Sequence, residues 1–438
     1  MRALRNTAAV IGVAWLLAPM WTQSAPLQDP SGPKPPAMVA LSMLERQARE
    51  RLGANPHSPL ADEASALFEG LDSGEAPASG HVPNYLRALA LEPSTVKPFA
   101  HLFETFVYGG SVQPELKLAM ALRIAQVNGS AYTAVHVERL LRGSERGTTL
   151  LNQMRADRPA DLKPAERLAL GYAELLTADI YGVDDDTFRR VRGYYNDADV
   201  VELTFTACFF NYFTRLNDGL GLPVESWVFD AAVKPPTATL RKVEGPIPRV
   251  ALISDAEIKM ASAALSSADR TRGLGLGIVN AQRAMLRVPD MAQAWSVFMG
   301  STGETAAVNR EIQLQVSFAV SMANGCRYCT MHQVLGLRRL GVDPGKLLAM
   351  EKSDDALTPR ERVAVTFARK LTRRGSDIGA ADYGALKAEF NEQGALDVLM
   401  QTSTFNFMNR FTDGLRLPSE DEAIRVYTEV YGKDFTRR

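Results

Sequence analysis

The sequence predicts an all-α protein made of two tandem copies of one helical domain, and three observations carry that expectation. Segments such as ELKLAMALRIAQV and EIQLQVSFAVSMA set apolar residues at three-to-four spacing, as do residues 162–177, 357–372, 393–408 and 421–431. Wound at 3.6 residues per turn, each acquires one apolar stripe to bury. No run alternates apolar and polar residues between turn signals for long enough to read as a strand. The chain also repeats itself. FNYFTRLNDGLGLP at 210–223 returns as FNFMNRFTDGLRLP at 405–418, and LKPAERLALGYAELLT from Leu162 returns as LTPRERVAVTFARKLT from Leu357, both 195 residues on (405 − 210 and 357 − 162). Upstream, NGSAYTAVH from Asn128 returns as NGCRYCTMH from Asn324, 196 residues on (324 − 128), and Pro93 pairs with Pro289 at that spacing. Blocks in one order at one spacing mark a duplicated unit, far longer than a solenoid repeat.

A chain of 438 residues accommodates two such domains. Residues 1–25 read as a secretory signal: Arg2 and Arg5 lead into an apolar run from Ala8 to Met20, too short to span a bilayer and broken near its end by Pro19, and a polar, small-residue end follows. An exported, periplasmic or secreted protein is expected, without a stable membrane span. Residues 26–84 read as a linker, with five prolines between Pro26 and Pro36, followed by a helical extension. The first copy is placed at 85–235 and the second at 236–438, with a join near Val233 to Pro248, where prolines gather. Within the copies, helix starts are marked by caps such as Thr358 followed by Pro359. A net charge of -1 leaves no electrostatic footprint for nucleic acid or anionic lipid, so a neutral or small partner is expected.

Three cysteines are too few for a disulfide scaffold, and two of them, Cys326 and Cys329, are three residues apart. In the run Asn324-Gly325-Cys326-Arg327-Tyr328-Cys329-Thr330-Met331-His332, Asn324 is the expected N-cap of a helix that begins with the cysteines. At that position the exposed N–H groups and helix dipole favour thiolate, and Arg327 adds a positive charge. Side chains three apart on a helix are neighbours, so the sulfurs are placed to form a reversible disulfide. His332 shares a face with Cys329 and is turned away from Cys326, which nominates Cys329 as the activated thiol and Cys326 as its resolving partner.

These residues resemble the alkylhydroperoxidase D and carboxymuconolactone decarboxylase superfamily, whose thiol-active members carry NGCxYC and a following His at a helix start. The resemblance covers both copies, from about Leu86 to Pro223 and from about Arg283 to Pro418. It implies a helical fold of that type in each copy and a peroxiredoxin-type activity, in which Cys329 attacks a hydroperoxide, Cys326 resolves and His332 moves protons. The family's upstream Glu falls on Leu314, and Glu311, one turn earlier, is the candidate relay. His332 also lies three residues after the second cysteine where the family has four. The first copy replaces the cysteines with Ser130 and Thr133 and keeps His136, so it has no thiol chemistry and is assigned to packing, pairing or substrate binding. The partners implied are a small hydroperoxide, a thiol/disulfide electron donor and further copies of the chain, with an intrachain pseudo-dimer inside each.

Other readings stand beside this one: a carboxymuconolactone decarboxylase-like enzyme, and a non-catalytic assembly or binding protein with a structural disulfide. A metal site would find only three local ligands in Cys326, Cys329 and His332, so no metal or cofactor is expected. Cys208 reads as a core residue. Arg215 with Asp218, and Arg410 with Asp413, read as buried Arg–Asp pairs that support the fold. His57, His81 and His101 have no partner pattern, and the glycines at Gly273, Gly275 and Gly277 follow no strand and so make no nucleotide fingerprint.

Overall fold

The computed structural model describes residues 38–52, 83–156, 159–230, 278–302 and 307–435. The expected signal segment, the proline-rich linker, the join, His57, His81 and the glycines at 273–277 lie outside the described residues. Those described form seventeen α-helices and no strand; the single isolated bridge joins Leu52 to Val224. None of these helices is long and apolar enough to cross a membrane.

In chain order the helices are α1 (Leu41–Glu50), α2 (Asn84–Leu89), α3 (Pro93–Tyr108), α4 (Pro114–Asn128), α5 (Ala131–Leu141), α6 (Glu145–Arg155), α7 (Pro164–Ala178), α8 (Asp185–Arg192) and α9 (Asp197–Leu220). Beyond the undescribed stretch follow α10 (Asn280–Met285), α11 (Pro289–Ser301), α12 (Arg310–Asn324), α13 (Arg327–Arg339), α14 (Pro344–Lys352), α15 (Pro359–Arg373), α16 (Ala380–Gly414) and α17 (Asp421–Tyr431). The starts are written in the sequence. Proline opens α3, α4, α7, α11, α14 and α15, where its missing N–H costs nothing. Thr358 caps α15 in a capping box with Glu361, as its spacing predicts. Asn309 and Asn196 cap α12 and α9 through their side-chain oxygens. Gly129 and Gly325 end α4 and α12 at φ 70, a left-handed turn that a side chain would strain.

The long helices α9 and α16 pack along each other at the centre, and one apolar core runs from α1 through both to Leu417. A smaller core lies between α12, α13, α15 and α17. Polar contacts across the α9–α16 seam come in matching pairs. Arg215 on α9 donates to its own Asn211 and to the Thr372 carbonyl at the end of α15. Arg410 on α16 donates to Asn406 and to the Thr177 carbonyl at the end of α7. Each guanidinium thus caps a helix C-terminus in the other half, where the dipole favours a cation. This corrects the expected Arg–Asp pairing. Neither guanidinium goes to its neighbouring carboxylate: Asp218 accepts from Ser130 at 2.8 Å, and Asp413 hydrogen-bonds Tyr181. Burial pushes Arg410 down to about 10, and burial together with the nearby Arg410 charge pushes Arg215 well below its ordinary value.

Candidate active site

The thiol pair sits where α12 gives way to α13. The expected capping is shifted by two residues. Asn324 is still the last residue of α12, Gly325 makes the left-handed turn, and Cys326 is itself the N-cap of α13, its sulfur accepting from Cys329 N–H at 3.2 Å. Asn324 instead spends its amide on Asn406 and Asn409 of α16, which pins the turn to the central helix. Both cysteines are thiols and both are buried, at 0% and 3% exposure.

Thr412 of α16 lies against both sulfurs, 3.5 Å from Cys326 Sγ and 3.4 Å from Cys329 Sγ. Its one hydroxyl proton has the Met408 carbonyl at 3.0 Å as an alternative acceptor, and with the proton turned there the oxygen is free to accept from a thiol. Turned towards a sulfur, the same proton would stabilise a thiolate. Cys326 does not have the lowered affinity for its proton that a helix start alone would confer. Burial, the hydrogen bond with Cys329 and the nearby Asp413 push its thiol well above the ordinary range. Arg327 is no help there, because its guanidinium turns outward to Asp434 at 3.0 Å.

His332 lies one turn beyond Cys329 on α13, as its spacing predicts. Its ring nitrogens are engaged elsewhere, however: Nδ1 bonds the Tyr328 carbonyl and Nε2 bonds Glu420 Oε2, each at 2.6 Å. The structure therefore brings His332 beside the pair without a direct bond to either sulfur. Glu420, just before α17, is the residue the sequence reading missed. It accepts from Asn280 N–H at 2.6 Å and from the Tyr328 hydroxyl at 3.2 Å, and the Tyr328 ring stacks on His332 with centroids 4.1 Å apart. Burial opposes ionisation of Glu420, but the bonds from His332 and Asn280 outweigh it and hold the carboxyl below its ordinary range. The signal was present: two residues beyond the repeated LP, LPVE at 222–225 matches LPSE at 417–420.

Glu311 has no place at this site. It stands in the first turn of α12, fifteen residues before Cys326 (326 − 311), a separation of about 22 Å along a helix. There it binds Lys346 at 2.9 Å, and Lys346 also binds Glu361. The spacing placed it on the correct helix but at the wrong end.

The first half repeats the frame without the sulfurs. His136 Nε2 bonds Glu225 at 2.9 Å, the Tyr132 hydroxyl donates to Glu225 at 2.8 Å, and Asn84 N–H donates to the same carboxylate. Ser130 donates to Asp218 at 2.8 Å and accepts from the Thr133 hydroxyl at 3.0 Å, and Asn217, at the position of Thr412, donates to Thr133. Burial raises the Asp218 carboxyl to about 6. Cys208 is a fully buried core residue, its thiol pushed up by burial. Among the described residues no three metal-ligating side chains gather into a site.

One cavity of about 280 Å³ lies in the second half, with neither cysteine on its wall. It lies between α10, α11, α12 and α16. Its wall shares Ala281, whose N–H donates to the Tyr328 hydroxyl, and Met408, whose carbonyl holds Thr412.

No known protein family and no curated protein matches the chain. Among solved structures, the debrominase Bmp8 in its apo form is 19% identical over 41% of this chain and 97% of its own, with a TM-score of 0.36. A cysteine variant of Bmp8 in complex with 2,3,4-tribromopyrrole is 18% identical over 41% of this chain and 96% of its own, also with a TM-score of 0.36.

Proposed function

We propose that the protein is a thiol-dependent oxidoreductase that reduces hydroperoxides by cycling Cys326 and Cys329 between dithiol and disulfide. The observation that carries this reading is the arrangement at the start of α13: two thiols share the Thr412 hydroxyl, and a His–Glu pair at 2.6 Å stands one turn further on. Cys329 takes the role of nucleophile because His332 is its near neighbour, whereas Cys326 is fully buried and holds its proton.

In the first step the Cys329 thiolate attacks the distal oxygen of ROOH. An S–O bond forms, the O–O bond breaks, and the leaving RO⁻ takes a proton to become ROH. Thr412 turns its hydroxyl to the thiolate, and the pair of His332 and Glu420, in place of Glu311, holds and supplies the proton. Cys326 then attacks the sulfenic sulfur, water leaves, and the Cys326–Cys329 disulfide forms. An external dithiol, oxidised to its own disulfide, returns both cysteines to thiols.

The chain is further proposed to consist of two copies of one domain of the alkylhydroperoxidase D type, paired about a pseudo-two-fold axis, with further copies of the chain adding to the assembly. The reciprocal bonds of Arg215 and Arg410 support this, since residue i of one half meets residue j of the other and the converse also holds. A non-catalytic binding protein is the second reading, favoured by the burial of both sulfurs.

Consumption of cumene hydroperoxide in the presence of dithiothreitol separates the two. The expected result is turnover that Cys329→Ser abolishes, whereas Cys326→Ser retains one round of sulfur oxidation and cannot recycle. No consumption by the wild-type protein would leave the binding reading.

A further inference from the structure

The cavity of the second half has a counterpart in the first half that is filled. Carried back by the repeat spacing, the cavity positions Ala281, Met299 and Thr302 fall on Tyr85, Phe103 and Phe106, and Met400, Thr404 and Met408 fall on Phe205, Phe209 and Phe213. Those six rings pack on one another. Tyr85 meets Phe213 at 4.9 Å, Phe103 meets Phe209 at 5.9 Å, and Phe106 meets Phe205 and Phe209 at 5.2 Å, centroid to centroid. The polar end is closed as well. Lys117 and Glu202 form a buried ion pair at 2.8 Å where the second half has Gln313 and Asp397, both on the cavity wall. Where one half has six aromatic rings, the other has alanine, threonine and methionine around a cavity, and that half holds the Cys326–Cys329 pair.

We propose that this cavity is the substrate pocket of the thiol site and that it takes a compact, branched or monocyclic organic hydroperoxide. The proposal rests on the hydroperoxide-reducing reading above. Volume sets the class: a cavity of about 150 Å³ suffices for benzene, so 280 Å³ holds one ring with short branches. The wall chemistry agrees. Trp295, Met299, Met400 and Met408 offer polarizable apolar surface to the organic group. The peroxide end faces the side shared with Tyr328 and Thr412, which Ala281 and Met408 bind directly. Hydrogen peroxide would gain nothing from the apolar wall, so selectivity comes from the six exchanged positions and not from the thiols.

The test refills the pocket with the rings of the first half. Thr404→Phe and, separately, Met408→Phe are made in the full-length chain, with thermal melting to verify folding. Calorimetric binding of cumyl alcohol, the product of cumene hydroperoxide reduction, is measured beside kcat/KM for cumene hydroperoxide and hydrogen peroxide. The wild type is expected to bind cumyl alcohol and to prefer cumene hydroperoxide by at least tenfold, and each variant to lose about tenfold in both binding and preference. Folded variants that keep both, or a wild type that reduces hydroperoxides but binds no cumyl alcohol, would overturn the pocket. A wild type that binds cumyl alcohol, loses it on refilling and consumes no hydroperoxide would sink the redox reading and leave the pocket standing.

Discussion

Glu420 turns His332 from an isolated ring into half of a charge-assisted pair, and hydrogen bonds of that kind orient and tune the imidazole they hold. Glu420→Gln is therefore expected to lower hydroperoxide turnover by about 10–100-fold, the scale seen when the partner of a working His is lost. Free-thiol titration should still find three cysteines. Glu311→Gln breaks a half-exposed bond to Lys346 far from the sulfurs and should leave turnover within about twofold, which steady-state kinetics on the two variants would decide. Asp218 offers a test in the first half. Its folded carboxyl is raised by burial to about 6, above the ordinary 3.8, so the folded state binds the extra proton. The stability it contributes is present below about pH 4 and is lost as pH rises through 6, amounting to roughly 3 kcal/mol at neutral pH. Asp218→Asn keeps an acceptor for Ser130, and should raise the midpoint of urea unfolding at pH 7.5 and flatten the pH 4–6 slope. Equal slopes in both proteins would refute it.

At the scale of elements, starts and stops were legible and the burial of side chains was not. Prolines, caps and glycines name the ends of most helices, and the repeat names which helices correspond. The pairing of His332 with Glu420 crosses 88 positions, which no local pattern reports. The cavity depends on the sizes of side chains contributed by four helices, so it becomes visible only when they pack. Helix α16 shows a subtler case. Asn391 corresponds to Asn196, the N-cap of α9, and its side chain likewise accepts from the N–H three residues on, at Gly394. Asn196 does so with φ -75 and ψ 174, whereas Asn391 adopts φ 54 and ψ -173, a region that only glycine enters freely. Asn391→Ala loses the cap and keeps the strain, and should cost about 2 kcal/mol. Asn391→Gly loses the cap but relieves the strain, so the loss should be under about 0.5 kcal/mol. The alanine–glycine gap, read from chemical denaturation, should be wider here than at position 196.

Across the whole molecule the two halves share one apolar core and one seam. The seam is tight enough that a methyl group on Gly219 would meet Leu399 at 2.8 Å, and one on Gly414 would meet Leu176 at 2.7 Å. Unfolding should accordingly be one cooperative transition, with coincident midpoints for tryptophan fluorescence and far-UV circular dichroism. Two separated transitions would mean that the halves are independent domains joined by a linker.

The exchanged arginines also place the halves on a clock. Arg215 reaches for the Thr372 carbonyl, a partner 157 residues later in the chain. At translation rates of about 5–20 residues per second, a newly made first half waits roughly 8–30 s before that carbonyl has been synthesised. Through that interval Arg215 has no helix end to meet, and the apolar flank of the central helix has nothing against it. For those seconds the first half presents an aggregation-prone apolar face, which only the emergence of the half bearing Cys326 and Cys329 can cover.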